Sequence, residues 1–270
     1  MSIKTAKPSQ ILQPFLKQYW CIENVLHNGQ KHIQRIIPSG LPELTLYIGN
    51  KPKIIGNKKD FEDNFILSGH QNQFYDLQIE NELHVLSIVF QPQGLMVFFN
   101  LPLIELYNQS IPLKYLNREL EQKILPKLTN EQSFEKRIQI VENYFFDLLK
   151  EEHNRFEFSR IDHAINIIRH RGGQILIENL ASEICLSRKQ FERKFSELIG
   201  ITPKKYLKTI RLQSSLYLRS KNNELNMTDL AYESGHYDQA HFINEFKRLT
   251  GFTPKQYFDN NEAYSDFFET

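Results

Sequence analysis

Two short stretches of the 270-residue chain set hydrogen-bonding side chains at helical spacing. In the first, Arg188, Lys189, Glu192, Arg193 and Glu197 face outward, while Phe191, Phe195 and Leu198 recur at i, i+4 and i+7 on the inner side. In the second, Gln239, Ala240, Ile243, Asn244 and Lys247 occupy the outward positions. Arginine and lysine pair with guanine edges, and asparagine and glutamine pair with adenine. Helix N-termini add a preference for phosphate. The chemistry on offer is reversible recognition of nucleic acid, with no bond made or broken.

The elements that carry these faces repeat. Phe191, Phe195, Leu198, Gly200, Thr202, Pro203, Lys204 and Tyr206 recur 51 positions later as Phe242, Phe246, Leu249, Gly251, Thr253, Pro254, Lys255 and Tyr257. Upstream, Leu180-Ala181 matches Leu230-Ala231 at an offset of 50, so the second copy carries one extra residue in its turn. Such self-similarity marks a duplicated helical unit. Each unit reads as helix, turn, helix. A helix over 177–184 leads through Cys185-Leu186 to a second helix, capped by Ser187 and stopped by Gly200. A helix over 227–234 leads through Gly235-His236-Tyr237 to another, capped by Asp238 and stopped by Gly251. The second helices, about 187–199 and 238–250, are the ones that would enter successive major grooves. A helix of about 16 residues from Pro203, roughly 24 Å long, would hold them apart. Adjacent grooves on one DNA face are about 34 Å apart, so closer helices would bend the duplex.

The remainder of the chain has a different texture. Short runs at 33–38, 44–48, 54–55, 65–67, 74–79 and 85–90 alternate with turn residues and predict strands of a sandwich or cupin-like barrel. Helical patterns follow at 112–125 and 133–150. The predicted fold is α+β. A β-rich domain with trailing helices spans 1–150, a linker 151–159, an all-α domain with two helix-turn-helix units and a joining helix 160–258, and an acidic tail 259–270. Residues 1–159 carry a net charge of −1, residues 160–258 carry +6, and the tail carries −4. The basic block suits an anionic partner.

Over residues 161–257 the sequence resembles the arabinose-regulator (AraC/XylS) family of bacterial transcription factors. The resemblance is carried by Leu180-Ala181, Leu186-Ser187, Phe191 to Phe195, Gly200 to Pro203, Tyr206-Leu207, Arg211-Leu212, Leu230-Ala231, Gly235, Phe242 and Phe246 to Pro254. It implies a seven-helix DNA-binding domain, an operator as ligand and RNA polymerase as a further partner. By position, the family's base-facing sites fall on Lys189, Glu192 and Arg193 in the first unit and on Gln239, Ala240 and Asn244 in the second. Ser187, Arg188, Lys204, Lys205, Arg211, Lys247 and Lys255 are the expected phosphate contacts. Three departures stand out. Cys185 occupies a turn position where glycine is common, His236 follows Gly235 in place of phenylalanine, and Asn244 replaces arginine. The N-terminal half resembles β-rich domains attached to a subset of these regulators, through Tyr19-Trp20, residues 37–44, Ser68-Gly69-His70, residues 89–94 and Ile111-Pro112-Leu113. That implies sensing of a small effector, pairing into a homodimer, or both.

Other signals point less far. His27, His32, His70 and His84 lie in the β-rich half without a His-x-His pair and a following Glu, so no metal site and no cofactor is expected. Cys21 reads as a buried structural thiol. Phe15, Tyr19, Trp20, Tyr47, Phe65, Phe74 and Tyr75 read as core before they read as an effector pocket. No phosphate loop, nucleophile elbow or zinc-protease motif is present, and no enzyme is expected. No apolar run reaches the ~18 residues of a membrane span, and the N-terminus lacks an apolar signal core, so the cytoplasm is the expected compartment. The competing readings are a ligand-sensing or interaction protein with a degenerate DNA-binding half, and a metal-dependent cupin-like enzyme.

Overall fold

A computed structural model describes residues 2–25, 31–56, 60–99, 102–149 and 155–259. The N-terminal half is built from β1 (Ser2–Ala6), β2 (Leu16–Val25), β3 (Lys31–Ile36), β4 (Glu43–Tyr47), β5 (Lys53–Ile55), β6 (Phe65–Ser68), β7 (Tyr75–Glu80), β8 (Glu82–Phe90) and β9 (Ser110–Pro112). Six of them form one sheet in the order β1-β2-β8-β4-β6-β9, and three form a second in the order β3-β7-β5. Every described pairing is antiparallel. The arrangement is the two-sheet form of the expected β-rich domain.

Side-chain alternation explains why both faces of the larger sheet are apolar. Tyr19, Cys21, Leu44, Leu46, Phe65, Leu67, Leu86, Ile88 and Phe90 join the core beneath the helices. Ile22, Tyr47, Ile66, Leu83 and Val85 face the smaller sheet instead and meet Leu77 and Ile79 there. The covering helices are a single turn, α1 (Leu95–Phe98), followed by α2 (Arg118–Asn130) and α3 (Phe134–Leu149). Leu120, Ile124 and Leu128 of α2 and Val141 and Phe145 of α3 bury the stripe that their spacing predicts.

Beyond this half the chain is helical. α4 (Arg155–His170), α5 (Ile177–Glu183), α6 (Arg188–Ile199), α7 (Pro203–Lys221), α8 (Met227–Glu233), α9 (Gln239–Thr250) and α10 (Pro254–Asp259) are the seven helices among the described residues. α4 begins inside the segment expected as linker. Residues 151–154 of that segment, His27, and residues 260–270 of the acidic tail lie outside the described residues. Each helix-turn-helix unit has its own core. Leu180, Ala181, Phe191, Phe195 and Ile199 pack together in the first, and Leu230, Ala231, Phe242, Phe246 and Leu249 in the second. Each such phenylalanine or leucine contributes about 1.5–3 kcal/mol by leaving water. No helix among the described residues is long and apolar enough to cross a membrane.

The two halves touch along a continuous seam. Arg35 on β3 donates to Thr250 O at the end of α9 (3.2 Å) and stacks between Phe74 and Phe252, 4.1 Å from each ring. Its other edge forks onto Asp76 with two bonds of 2.7 Å. Gln213 on α7 donates to Pro38 O at 2.7 Å, and Arg169 on α4 donates to Gln91 at 3.0 Å. The helix-ending glycines sit on the same seam. Gly200 and Gly251 are both left-handed at φ 81°. A Cβ on Gly200 would overlap Leu103 O, and one on Gly251 would lie 2.6 Å from Arg35 Nη1 and Phe74.

Candidate DNA-binding interface

The capping chemistry fixes where each recognition helix starts. Ser187 and Gln190 form a reciprocal capping box on α6: the Ser187 hydroxyl accepts from the Gln190 N–H, and the Gln190 side chain accepts from the Ser187 N–H. Asp238 caps α9 by accepting from the His241 N–H at 2.7 Å. Each helix runs for 12 residues to its left-handed glycine. Between them α7 spans 19 residues, a rod of about 28 Å.

Lys189, Arg193, Gln239, Ala240 and Asn244 are exposed, and Glu192 is half-buried. Lys189, Arg193 and Asn244 make no side-chain hydrogen bond or ion pair among the described residues. Glu192 is engaged, accepting from Arg188 Nε at 3.0 Å, while Arg188 also pairs with Glu178. Gln239 accepts from the Thr228 hydroxyl at 3.1 Å. Among the expected phosphate contacts, Ser187 spends its hydroxyl on the cap, whereas Lys204, Lys247 and Lys255 are exposed. The Lys205 ammonium lies 4.2 Å above the Tyr107 ring of the N-terminal half.

Arg211 is differently placed from that expectation. Its side chain is only 17% exposed and pairs with Glu245 at 2.9 Å. Lys208 holds the other oxygen of Glu245 at 2.9 Å, and His236 Nε2 lies 3.3 Å away. Burial alone would raise the Glu245 pKa; the His236 and Lys208 hydrogen bonds and the Arg211 charge outweigh it and hold the carboxyl well below the usual range. Arg211 is therefore a strut between α7 and α9, and buried His236 is part of the same network. The sequence placed a phosphate contact there because an arginine on a helix pattern does not show which way it faces.

The two turns differ in an informative way. Cys185 is exposed at φ 55°, and its counterpart Gly235 stands at φ 81°. A side chain in the left-handed region is strained where glycine is not. A Cys185→Gly variant is expected to gain about 0.5–1 kcal/mol in urea denaturation; an unchanged or lower midpoint contradicts this reading. The extra residue in the second turn is Tyr237, which is 88% exposed immediately before the Asp238 cap. The change of offset from 50 to 51 marked an insertion in this turn, and the structure assigns it to Tyr237.

The other candidates resolve as follows. Cys21, Glu23 and His84 bring their ligand atoms within 4.8 Å of one another. The fully buried Arg137 stands beside them, with Nη1 2.8 Å from His84 Nε2. Its positive charge occupies the neighbourhood a metal ion would need. Burial, reinforced by the Glu23 charge, raises the Cys21 thiol pKa and makes it a poor nucleophile. Among the aromatics read as core, Trp20, Tyr47 and Tyr75 belong to the cluster between the sheets and also line a cavity there, and Phe74 lies on the domain seam.

Comparison with known proteins matches these features. Residues 180–260 fit a helix-turn-helix domain family, and residues 4–112 fit a domain of unknown function (DUF6597). An uncharacterized HTH-type transcriptional regulator of Haemophilus influenzae is 37% identical over 81 residues, which are 30% of this chain and 27% of that protein. The HTH-type transcriptional activator RhaS of Escherichia coli is 29% identical over 86 residues, 32% of this chain and 31% of that protein. The match thus spans under a third of these relatives' length. The structure of ToxT from Vibrio cholerae aligns over 89% of this chain and 98% of that one, at 15% identity and a TM-score of 0.49. Residues 180–260 thus carry a helix-turn-helix domain similar to those of HTH-type transcriptional regulators, behind a β-rich segment that matches a domain of unknown function.

Proposed function

We propose that the protein is a sequence-specific transcription regulator of the cytoplasm that inserts α6 and α9 into successive major grooves of its operator. One observation carries the reading: two equally long, separately capped helices present unengaged Lys189, Arg193 and Asn244 to solvent. In this reading Lys189, Arg193, Gln239 and Asn244 contact bases, and Arg188, Lys204, Lys247 and Lys255 contact phosphates. Glu192 orients Arg188 as much as it meets a base, and Ala240 supplies apolar contact. Recognition helices held closer together than the ~34 Å groove repeat would bend the bound duplex. The β-rich half senses a small molecule or pairs two chains, and RNA polymerase is the further partner. No catalytic role is part of the proposal.

Duplex affinity measured against salt concentration tests it. Affinity for a selected site should fall steeply, by a slope of about 0.9 per phosphate neutralised. Weak binding indifferent to sequence would favour an interaction module. Arg193→Ala should cost about 1–3 kcal/mol and relax preference at one base position. Unaltered affinity and preference would remove Arg193 from the reading surface.

A further inference from the structure

The cavity between the two sheets is built by alternation. Trp20 and Ile22 of β2, Glu43, Thr45 and Tyr47 of β4 and Gln34 and Ile36 of β3 all point into it. Its volume is about 100 Å³. An apolar cavity of about 150 Å³ holds a benzene ring, so this one takes a head of about four or five heavy atoms.

One acid stands in the wall, and no lysine or arginine lies among the lining residues. The acid is Glu43. Its Oε1 accepts from Trp20 Nε1 at 2.7 Å and from the Ser87 hydroxyl. Its Oε2 has no hydrogen-bond partner among the described residues. Burial pushes the carboxyl pKa up, and these two donors only partly offset it. Glu43 is half-buried, and His32 is the other titratable side chain of charged type in the wall. A partly desolvated carboxylate without a fixed countercharge is costly, and a ligand that supplies the charge recovers that cost. The rings of Trp20, Tyr47, Phe61 and Tyr75 line the same space, and Tyr47 and Phe61 stack at 5.5 Å. Aromatic faces attract cations.

We propose that this cavity binds a small organic ammonium ion, with its cationic head against Glu43 and its hydrocarbon part among the Tyr47, Phe61 and Tyr75 rings. The inference rests on reading the β-rich half as a sensor and names the class of molecule sensed. The path outward is short. Gln34 and Ile36 face the cavity, while Arg35 between them holds Thr250 at the end of α9. Ile37 both lines the cavity and packs on the core of the second unit. Occupancy therefore presses on the strand that positions one recognition helix.

Trp20 is the only tryptophan in the chain, so its fluorescence reports on the cavity. Full-length protein is titrated with isobutylammonium, isobutanol and isobutyrate, three molecules of one four-carbon skeleton and different charge. The expected result is a saturable change with the ammonium ion, affinity at least tenfold weaker for the alcohol and no response to the carboxylate. Glu43→Gln should weaken the ammonium ion at least tenfold. Equal binding of alcohol and ammonium ion, or no saturable response, overturns the proposal. If Glu43→Gln does not fold, the comparison on the unmodified protein decides. Duplex binding is measured on the same sample. Loss of the amine response with duplex binding intact defeats only this inference. An amine response without duplex binding defeats the regulator reading and leaves the cavity assignment standing.

Discussion

Glu245→Ala should destabilise the C-terminal domain by about 3–5 kcal/mol, the cost of breaking a buried ion pair from one side. Glu245 is 4% exposed, and Lys208 and Arg211 reach it from α7 at 24% and 17% exposure. Removing the carboxylate leaves two cations with little water and no anion. It also frees His236, whose Nδ1 keeps only the Ser234 hydroxyl at 3.2 Å. The damage should centre on α9, so, on the proposed reading, the second unit should lose DNA contact before the first. Urea denaturation and a footprint confined to one half-site check both parts. A loss under about 1 kcal/mol would show that solvent already screens the pair. The same network sets a pH dependence. The folded pKa of Glu245 is depressed, so its stabilisation is complete above the unfolded glutamate value of about 4.3. It drains away as pH falls below that range towards the folded value. Glu245→Gln should flatten this acid limb.

Arg35→Ala should unseat the second helix-turn-helix unit from the β-rich half, at a cost of about 2–4 kcal/mol in coupling between them. Arg35 and Asp76 are 16% and 19% exposed. The substitution strands Asp76, empties the slot between Phe74 and Phe252 and removes the donor to Thr250 O. Both halves keep their own cores, so each should retain its secondary structure. Hydrogen exchange should rise at residues 36–38 and at the end of α9 while protection in α6 persists. Unchanged exchange at those positions would mean that the Gln213–Pro38 contact and the Gly251 packing hold the seam unaided.

The two helix-turn-helix units were legible almost to the residue, because their signals are local, whereas α4 starts five residues before the expected boundary. Ser187, Asp238, Gly200 and Gly251 mark helix ends by their own chemistry, and the observed limits of α6 and α9 fall where those residues put them. The β-rich half was legible only in part. β3 to β8 lie within a few residues of the six predicted runs. β1, β2 and β9 were missed. β1 is an edge strand with exposed Lys4 and Thr5, and edges are kept polar. β2 is the longest of the described strands, yet Lys17, Gln18 and Glu23 interrupt its apolar residues. Pairing with β8 makes it a strand, and pairing is not local information. The Glu245 network and the Glu43 cavity were illegible for a similar reason: each joins residues from separate elements whose meeting depends on the finished packing.

Gly200 and Gly251 end the two recognition helices and abut the same neighbouring domain, one at Leu103 and the other at Arg35 and Phe74. That domain works as a jig. It grips two tools by their handles and fixes the pitch between them. A chain cut down to its C-terminal half would keep both tools and lose the jig. On the proposed reading it would then accept operators whose half-sites are spaced or phased differently, trading selectivity for reach.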